Sequence, residues 1–67
     1  MMMAYEEFRD KIANELRKAQ EPLTWTEIRT RAQLPQKYPN NRWTHLLEND
    51  IGLERKHIHG VMRWQLR

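Results

Sequence analysis

The segment 53–66 constrains the fold most, because it has the pattern of a two-stranded β-hairpin centred on His59-Gly60. Gly suits a two-residue primed turn, although His is a weaker first residue than Asn or Asp. This centring puts Trp64 and both leucines of the segment on one face and charged residues on the other. A slip of one residue would expose Trp64, so the pattern predicts the register. An isolated hairpin is marginal in water, and the rest of the chain must therefore cover the face that carries Trp64.

Two helices are predicted upstream of the hairpin. Apolar residues recur at helical spacing from Tyr5 onwards and predict a first helix over 5–20, followed by a helix-terminating proline. Thr24 and Glu27 have the spacing of a capping box, which predicts a second helix over 25–32.

A third helix is predicted after a turn of composition Pro-Gln-Lys-Tyr-Pro-Asn at 35–40. Asn40 or Asn41 can cap this helix, which we expect to run over 41–50 and to end just before Gly52. An apolar stripe of helical spacing should face the core, and it consists of Trp43, Leu46 and Leu47.

The composition favours a small binding domain over an enzyme. The chain has 67 residues, no cysteine and no serine, so it lacks the two commonest nucleophiles and has room for one domain only. We expect a flexible start at 1–4 and one domain over 5–67. No apolar run reaches the length of a membrane span, and no signal-peptide pattern opens the chain. These features predict an intracellular protein, in the cytoplasm or the nucleus, without a cofactor.

The predicted order is helix, helix, turn, helix and hairpin, an α+β arrangement in which three helices cover a C-terminal two-stranded wing. Within it, Leu-Thr-x-x-Glu-Ile at 23–28 looks like the entry to the second helix of a winged helix-turn-helix domain. The segment 45–55, His-Leu-Leu-Glu-Asn-Asp-Ile-Gly-Leu-Glu-Arg, looks like a recognition helix that runs into the wing. The stretch 23–66 thus resembles the winged helix-turn-helix superfamily. The resemblance implies a DNA-binding domain of the kind found in transcriptional regulators.

The net charge of +3 is unevenly distributed. Residues 1–34 are balanced, whereas residues 35–67 carry six Lys or Arg and only three Asp or Glu. A basic half favours a polyanionic partner, and double-stranded DNA is the partner that we expect. A homodimer through the first helix is compatible with this function, because paired half-sites raise affinity.

The third helix is the expected reading element, because the resemblance implies that it enters the major groove. With the apolar stripe turned inward, its other face should present Asn41, Arg42, Thr44 and His45. Asn and Arg hydrogen-bond the edges of adenine and guanine. The alternative is that the asparagines only cap the helix and that Arg42 is solvated.

The turn and the hairpin supply the other candidate contacts. Lys37 and Tyr38 can touch phosphate, although Tyr38 can equally be a packed turn aromatic. On the wing, Lys56 and Arg63 face each other, and a nearby polyanion would relieve their repulsion unless the side chains simply splay apart in water. His59 at the turn is the last candidate, through titration near neutral pH.

Two further interpretations compete with DNA binding. The histidines at 57 and 59 share a spacing that could hold a metal, but no cysteine lies near them and we expect no metal site. Glu48, Asp50 and Glu54 put acid beside the proposed reading face. They favour the alternative function, a winged-helix module that binds protein within a larger assembly.

Overall fold

The computed structural model describes residues 3–67 and consists of three helices followed by an antiparallel hairpin. The elements are α1 (Tyr5–Lys18), α2 (Trp25–Ala32), α3 (Asn41–Asp50), β1 (Leu53–Ile58) and β2 (Val61–Leu66). The predicted α+β arrangement is confirmed, and the layout is consistent with a winged helix. Both α2 and α3 have the predicted bounds. In contrast, α1 ends two residues before the predicted position, because the chain is already extended at Ala19.

The capping box that predicts α2 is present in full. Thr24 Oγ1 accepts a hydrogen bond from the backbone N–H of Glu27 at 3.2 Å, and Glu27 Oε1 accepts one from the backbone N–H of Thr24 at 2.9 Å. These reciprocal bonds satisfy two backbone N–H groups that have no carbonyl acceptor within the helix. They explain why the helix begins at Trp25.

The hairpin has the predicted register, from Leu53 opposite Leu66 to Ile58 opposite Val61. His59 and Gly60 form the two-residue turn, with φ angles of 53° and 79°. Two successive positive φ angles characterise a primed turn, whose twist matches that of the strands on either side.

A single β-bridge lies beside β2 and was not predicted. Leu23 and Trp64 form an antiparallel bridge in which each backbone N–H donates to the other residue's carbonyl, at 3.0 and 2.7 Å. The connector between α1 and α2 therefore holds the base of the hairpin, and this pairing explains the early end of α1.

An aromatic chain runs through the core and joins all three helices to the wing. Phe8 packs against Trp43 and Trp25, with ring centroids 5.0 and 6.4 Å apart, and Trp25 packs against Trp64 at 5.5 Å. Such tilted contacts are a favourable geometry for aromatic rings. Trp64 and Phe8 are almost completely buried, so the wing and α1 share one core.

The start of α1 is tied to the end of α3. The Tyr5 hydroxyl donates a hydrogen bond to Asp50 Oδ2 at 2.5 Å, and the Tyr5 ring packs edge-on against Trp43. Burial, together with this hydrogen bond, raises the pKa of Tyr5 to about 12. In the segment predicted to be flexible, Met3 is partly buried against the core and Ala4 is the N-cap of α1, while residues 1 and 2 lie outside the described residues.

None of the helices described within residues 3–67 is long and apolar enough to cross a membrane.

Candidate nucleic-acid interface

The loop 35–40 positions α3, and two side chains of α2 hold it in place. Trp25 Nε1–H donates to the carbonyl of Lys37 at 2.9 Å, and Arg29 Nε–H donates to the carbonyl of Gln36 at 2.7 Å. A loop rich in proline, bound at two successive carbonyls, has little freedom to move relative to α2. The loop therefore fixes the orientation of α3 relative to α2.

Asn40 is the N-cap of α3, one of the two residues predicted for this position. Its Oδ1 accepts a hydrogen bond from the backbone N–H of Trp43 at 3.1 Å. The backbone N–H groups of Asn41 and Arg42 make no hydrogen bond with the described part of the chain. Exposed amides at the start of a helix attract anions, since the helix dipole adds to their own partial charge.

The prediction that Thr44 faces a ligand is wrong, because Thr44 is buried with only 1% of its surface exposed. Its hydroxyl donates to the carbonyl of Asn40 at 2.8 Å, which satisfies the polar group inside the core. Leu46, predicted to be buried, is 41% exposed instead. The inward face of α3 is therefore rotated from Leu46 towards Thr44, and Leu47 lies at its centre.

This rotation produces an exposed row of side chains along α3, which we call the outer stripe: Arg42, His45, Leu46 and Asn49. Residues three and four apart lie above one another on a helix, so the row is continuous over about 10 Å. Asn49 was missed by the sequence analysis, although its spacing from Arg42 and His45 was a usable signal.

Arg42 is the cation of the outer stripe that stays unneutralised. No ion pair or side-chain hydrogen bond links it to any residue between 3 and 67. His45 contacts Glu48, with 3.5 Å between Nδ1 and Oε1, and keeps Nε2 available. The stripe thus presents a guanidinium, an imidazole nitrogen, an amide and an apolar side chain to solvent.

Lys37 and Tyr38 lie on the surface of the loop that precedes α3. Tyr38 is 73% exposed, so it is not a packed turn aromatic. The Lys37 ammonium lies 5.6 Å from the centroid of the Tyr38 ring, a cation–π distance. Neither side chain has a carboxylate partner among the described residues, and both are therefore available to an anion.

Two basic residues of the wing, Lys56 and Arg63, are paired with carboxylates. Lys56 Nζ lies 3.1 Å from Glu54 Oε1. Arg63 donates to the carbonyl of Pro22 at 3.2 Å and lies 3.7 Å from Glu27 Oε1. Lys56 and Arg63 are cross-strand neighbours as predicted, but carboxylates of the chain itself relieve their repulsion. The repulsion within this pair therefore gives no argument for a polyanion beside the wing.

Both carboxylates have lowered pKa values. The pKa of Glu27 is lowered mainly by the backbone N–H of Thr24, and that of Glu54 mainly by a hydrogen bond from Gln65. Lys56 adds to the effect on Glu54, and Arg63 adds to the effect on Glu27. Each carboxylate is thus held in its charged form opposite a wing cation.

Acidic residues near α3 are also engaged. Glu48 contacts His45, Asp50 accepts the hydrogen bond from Tyr5, and Glu54 contacts Lys56. Of these three acidic side chains, only Glu54 therefore faces a cation, whereas Asp50 accepts from a neutral hydroxyl and Glu48 lies beside an imidazole, so both keep a negative charge near α3.

Of the remaining wing residues, one packs on the core ring of Trp64 and the others are exposed to solvent. Arg55, the cross-strand neighbour of Trp64, lies over its ring, with Cζ 5.9 Å from the centroid. His59 is exposed in the turn, and the apolar Val61 and Met62 beside it are 44% and 37% exposed. Across residues 3–67, no group of three or more His, Cys, Asp or Glu side chains is arranged to hold a metal ion.

Comparisons of the chain with protein-family models, with curated proteins and with solved structures found no match.

Proposed function

We propose that this domain binds double-stranded DNA without catalysing a reaction, with the outer stripe of α3 in the major groove. The observation that carries the proposal is the unpaired Arg42, which begins an exposed polar row beside the free amides of a helix N-terminus. An α-helix fits the major groove, which is about 12 Å wide.

The chemistry of the outer stripe matches base edges. A guanidinium such as that of Arg42 binds guanine O6 and N7, and an amide such as that of Asn49 or Asn41 binds adenine N6 and N7. Leu46 offers an apolar surface of the kind that contacts the thymine methyl group. His45 supplies one further hydrogen-bonding nitrogen.

Phosphate contacts complete the proposed interface. Lys37, Tyr38 and the first amides of α3 lie together at one end of the helix, where they would fix its register on the duplex. Lys56, His59 and Arg63 belong to the wing, and they are secondary contacts because carboxylates already neutralise two of them. Such a role is that of a regulator-like domain in the cytoplasm or the nucleus, and a homodimer would raise its affinity.

The test is a titration of the domain with a mixed-sequence duplex, followed by amide chemical shifts at low salt. We expect shifts at residues 37–49 that disappear at high salt, because the phosphate contacts release counterions. Arg42→Ala should weaken binding by about 5- to 100-fold and leave the fold unchanged. Shifts confined to other surfaces, or unchanged affinity for Arg42→Ala, would remove α3 from the interface.

The salt dependence of Arg42→Ala distinguishes two ways in which this residue could bind. If Arg42 contacts phosphate, the slope of log K against log salt falls by about one, whereas a base contact leaves the slope unchanged and alters sequence preference. Arg42→Lys is the matched variant, because it keeps the charge and loses the planar two-pronged donor.

A protein-interaction module is the second candidate, and the wing favours it. Its tip carries the exposed apolar Val61 and Met62, and two of its cations, Lys56 and Arg63, face carboxylates of the domain. A wing of this kind is better suited to an uncharged surface than to phosphate. A titration without any shift at high duplex concentration would favour this candidate.

A further inference from the structure

Two side chains of the outer stripe lie almost directly above one another along α3. Arg42 and Asn49 are seven residues apart in the chain, a separation about 20° short of two full turns of an α-helix. They therefore share one line along the helix, which we call the central ridge. His45 and Leu46 lie on either side of this line, about 60° and 40° away from Arg42.

The side chains at both ends of the central ridge are exposed and unengaged. Within residues 3–67, no hydrogen bond or ion pair involves the guanidinium of Arg42 or the side-chain amide of Asn49. By contrast, the Thr44 hydroxyl on the opposite face of the helix donates to the carbonyl of Asn40. The fold therefore leaves the donors and acceptors of both ridge ends available to a ligand.

Orientation separates Asn49 from Asn41, the other exposed amide of the helix. Successive residues of an α-helix are about 100° apart, so Asn41 and Arg42 point to different sides. When α3 lies in the major groove, one orientation directs both Arg42 and Asn49 at base edges, and Asn41 then faces a wall of the groove. The amide that accompanies Arg42 is therefore that of Asn49.

The carboxylates nearest to the C-terminal end of the central ridge lie beside it. Glu48 and Asp50 precede and follow Asn49 in the chain, so they point about 100° to either side of it. The Tyr5 hydroxyl also binds Asp50 and holds it towards α1. Both carboxylates repel phosphate at this end of α3, but neither lies on the ridge. Asn49 should therefore contribute to base preference and little to the overall attraction for DNA.

The length of the central ridge sets the distance between the two bases that it can contact. Seven residues span about 10.5 Å along the helix axis between the Cα atoms of Arg42 and Asn49. Zinc-finger helices, whose base-contacting side chains are about three residues apart, bind three successive base pairs. The ridge has a similar spacing, because His45 and Leu46 lie between its ends. Its ends thus match the outer positions of a site of three base pairs.

We propose that the central ridge selects a site of three base pairs, with guanine at the end facing Arg42 and adenine at the end facing Asn49. A guanidinium donates two hydrogen bonds to guanine O6 and N7, and an amide binds adenine N6 and N7. This preference rests on the proposed binding of duplex DNA by α3 and adds the class of sequence that is bound. The two purines can belong to the same strand or to opposite strands, since each is contacted at its own major-groove edge.

The test is a selection of bound duplexes from a library with six consecutive randomised base pairs, followed by sequencing. We expect a G·C pair and an A·T pair separated by one base pair, each preferred about fivefold or more over other pairs. Bound duplexes without any base preference would overturn this inference and leave duplex binding by α3 intact. The absence of duplex binding would overturn both.

Substitutions assign the two positions to their side chains. Arg42→Ala should remove the preference at the G·C pair, and Asn49→Ala should remove the preference at the A·T pair. Asn49→Gln should retain the adenine preference, because glutamine carries the same amide, whereas a purely structural role of Asn49 predicts no such rescue. Asn41→Ala is the matched control and should leave both preferences unchanged. Loss of the adenine preference in Asn41→Ala, or a different separation between the two positions, overturns the proposal.

Affinity on two duplexes gives an independent measurement. Asn49→Ala should weaken binding to the selected duplex about fivefold or more, but should change the affinity for a duplex without the site by less than about twofold. The slope of log K against log salt should stay unchanged, because an amide releases no counterion. An equal loss on both duplexes would make Asn49 a contact without base preference and overturn the proposal.

Discussion

The outer stripe of α3 and the outer face of the wing both present basic residues, but they differ in how those residues are neutralised. Arg42 on α3 has no carboxylate partner among residues 3–67, whereas Lys56 and Arg63 on the wing face Glu54 and Glu27. The two surfaces therefore have similar formal charges and unequal capacities to attract an anion. Counting basic residues in the sequence therefore overestimates the capacity of the wing to attract an anion.

The largest expected effect concerns Trp64, which belongs to the wing but lies in the core that the wing shares with the helices. Trp64→Ala should lower the free energy of unfolding by about 3–5 kcal/mol, because it removes a buried ring that packs on Trp25. Urea unfolding followed by far-ultraviolet circular dichroism measures this loss. Val61→Thr at the exposed tip is the control and should stay within about 0.5 kcal/mol. Equal losses for both variants would contradict a wing rooted in the core.

Two alanine variants test whether α3 attracts DNA more strongly than the wing does. Arg42→Ala should weaken duplex binding by about 1–3 kcal/mol, and Lys56→Ala by less than about 0.5 kcal/mol, since Glu54 already neutralises that lysine. Fluorescence anisotropy with a labelled duplex at fixed salt measures both affinities. A larger effect for Lys56→Ala would make the wing the principal contact.

A third prediction separates stability from binding at the start of α3. Asn40→Ala removes the cap on the Trp43 amide and should lower stability by about 1 kcal/mol with little change in DNA affinity. Asn40→Asp keeps the cap and should preserve stability, yet weaken DNA binding, because a carboxylate at this position repels phosphate. Thermal unfolding and anisotropy on both variants check this crossed pattern. Parallel changes in stability and affinity would exclude α3 as the contact.

The smallest expected effect is on acid stability. Glu27 and Glu54 have folded-state pKa values below the usual 4.5, so the stability they contribute is fully present above that value. It is lost as the pH falls through the lowered pKa values. Urea midpoints between neutral and acidic pH should therefore decline less steeply in Glu27→Gln, which keeps an oxygen for the Thr24 amide. An unchanged pH profile would show that the charge of Glu27, held by the Thr24 amide and by Arg63, has no weight in the free energy of unfolding.

Local patterns in the sequence were sufficient for most of the fold. The capping box at Thr24 and the turn at His59-Gly60 act through neighbouring residues, and both α2 and the hairpin register follow from them. The bridge between Leu23 and Trp64 was not predictable in this way. Its partners are far apart in the chain, and a single pair has no periodicity to detect.

The candidate site was predicted less completely, for physical reasons that differ between residues. Thr44 is buried because its hydroxyl finds a backbone carbonyl one turn earlier, an option that a polarity scale ignores. Leu46 is exposed as a result, and Asn49 joins the outer stripe. The pairing of Arg63 with Glu27 depends on the approach of two distant segments, which residue spacing does not encode.

The bridge between Leu23 and Trp64 has a consequence for recognition. It joins the wing to the connector between α1 and α2, and the bond from Arg63 to Pro22 reinforces the joint. The wing is therefore held in position before any partner binds it, and little conformational entropy of the chain is lost on association. Bending the wing would require breaking the hydrogen bonds between this connector and β2, so a stronger bridge lowers the affinity for a partner that distorts the wing.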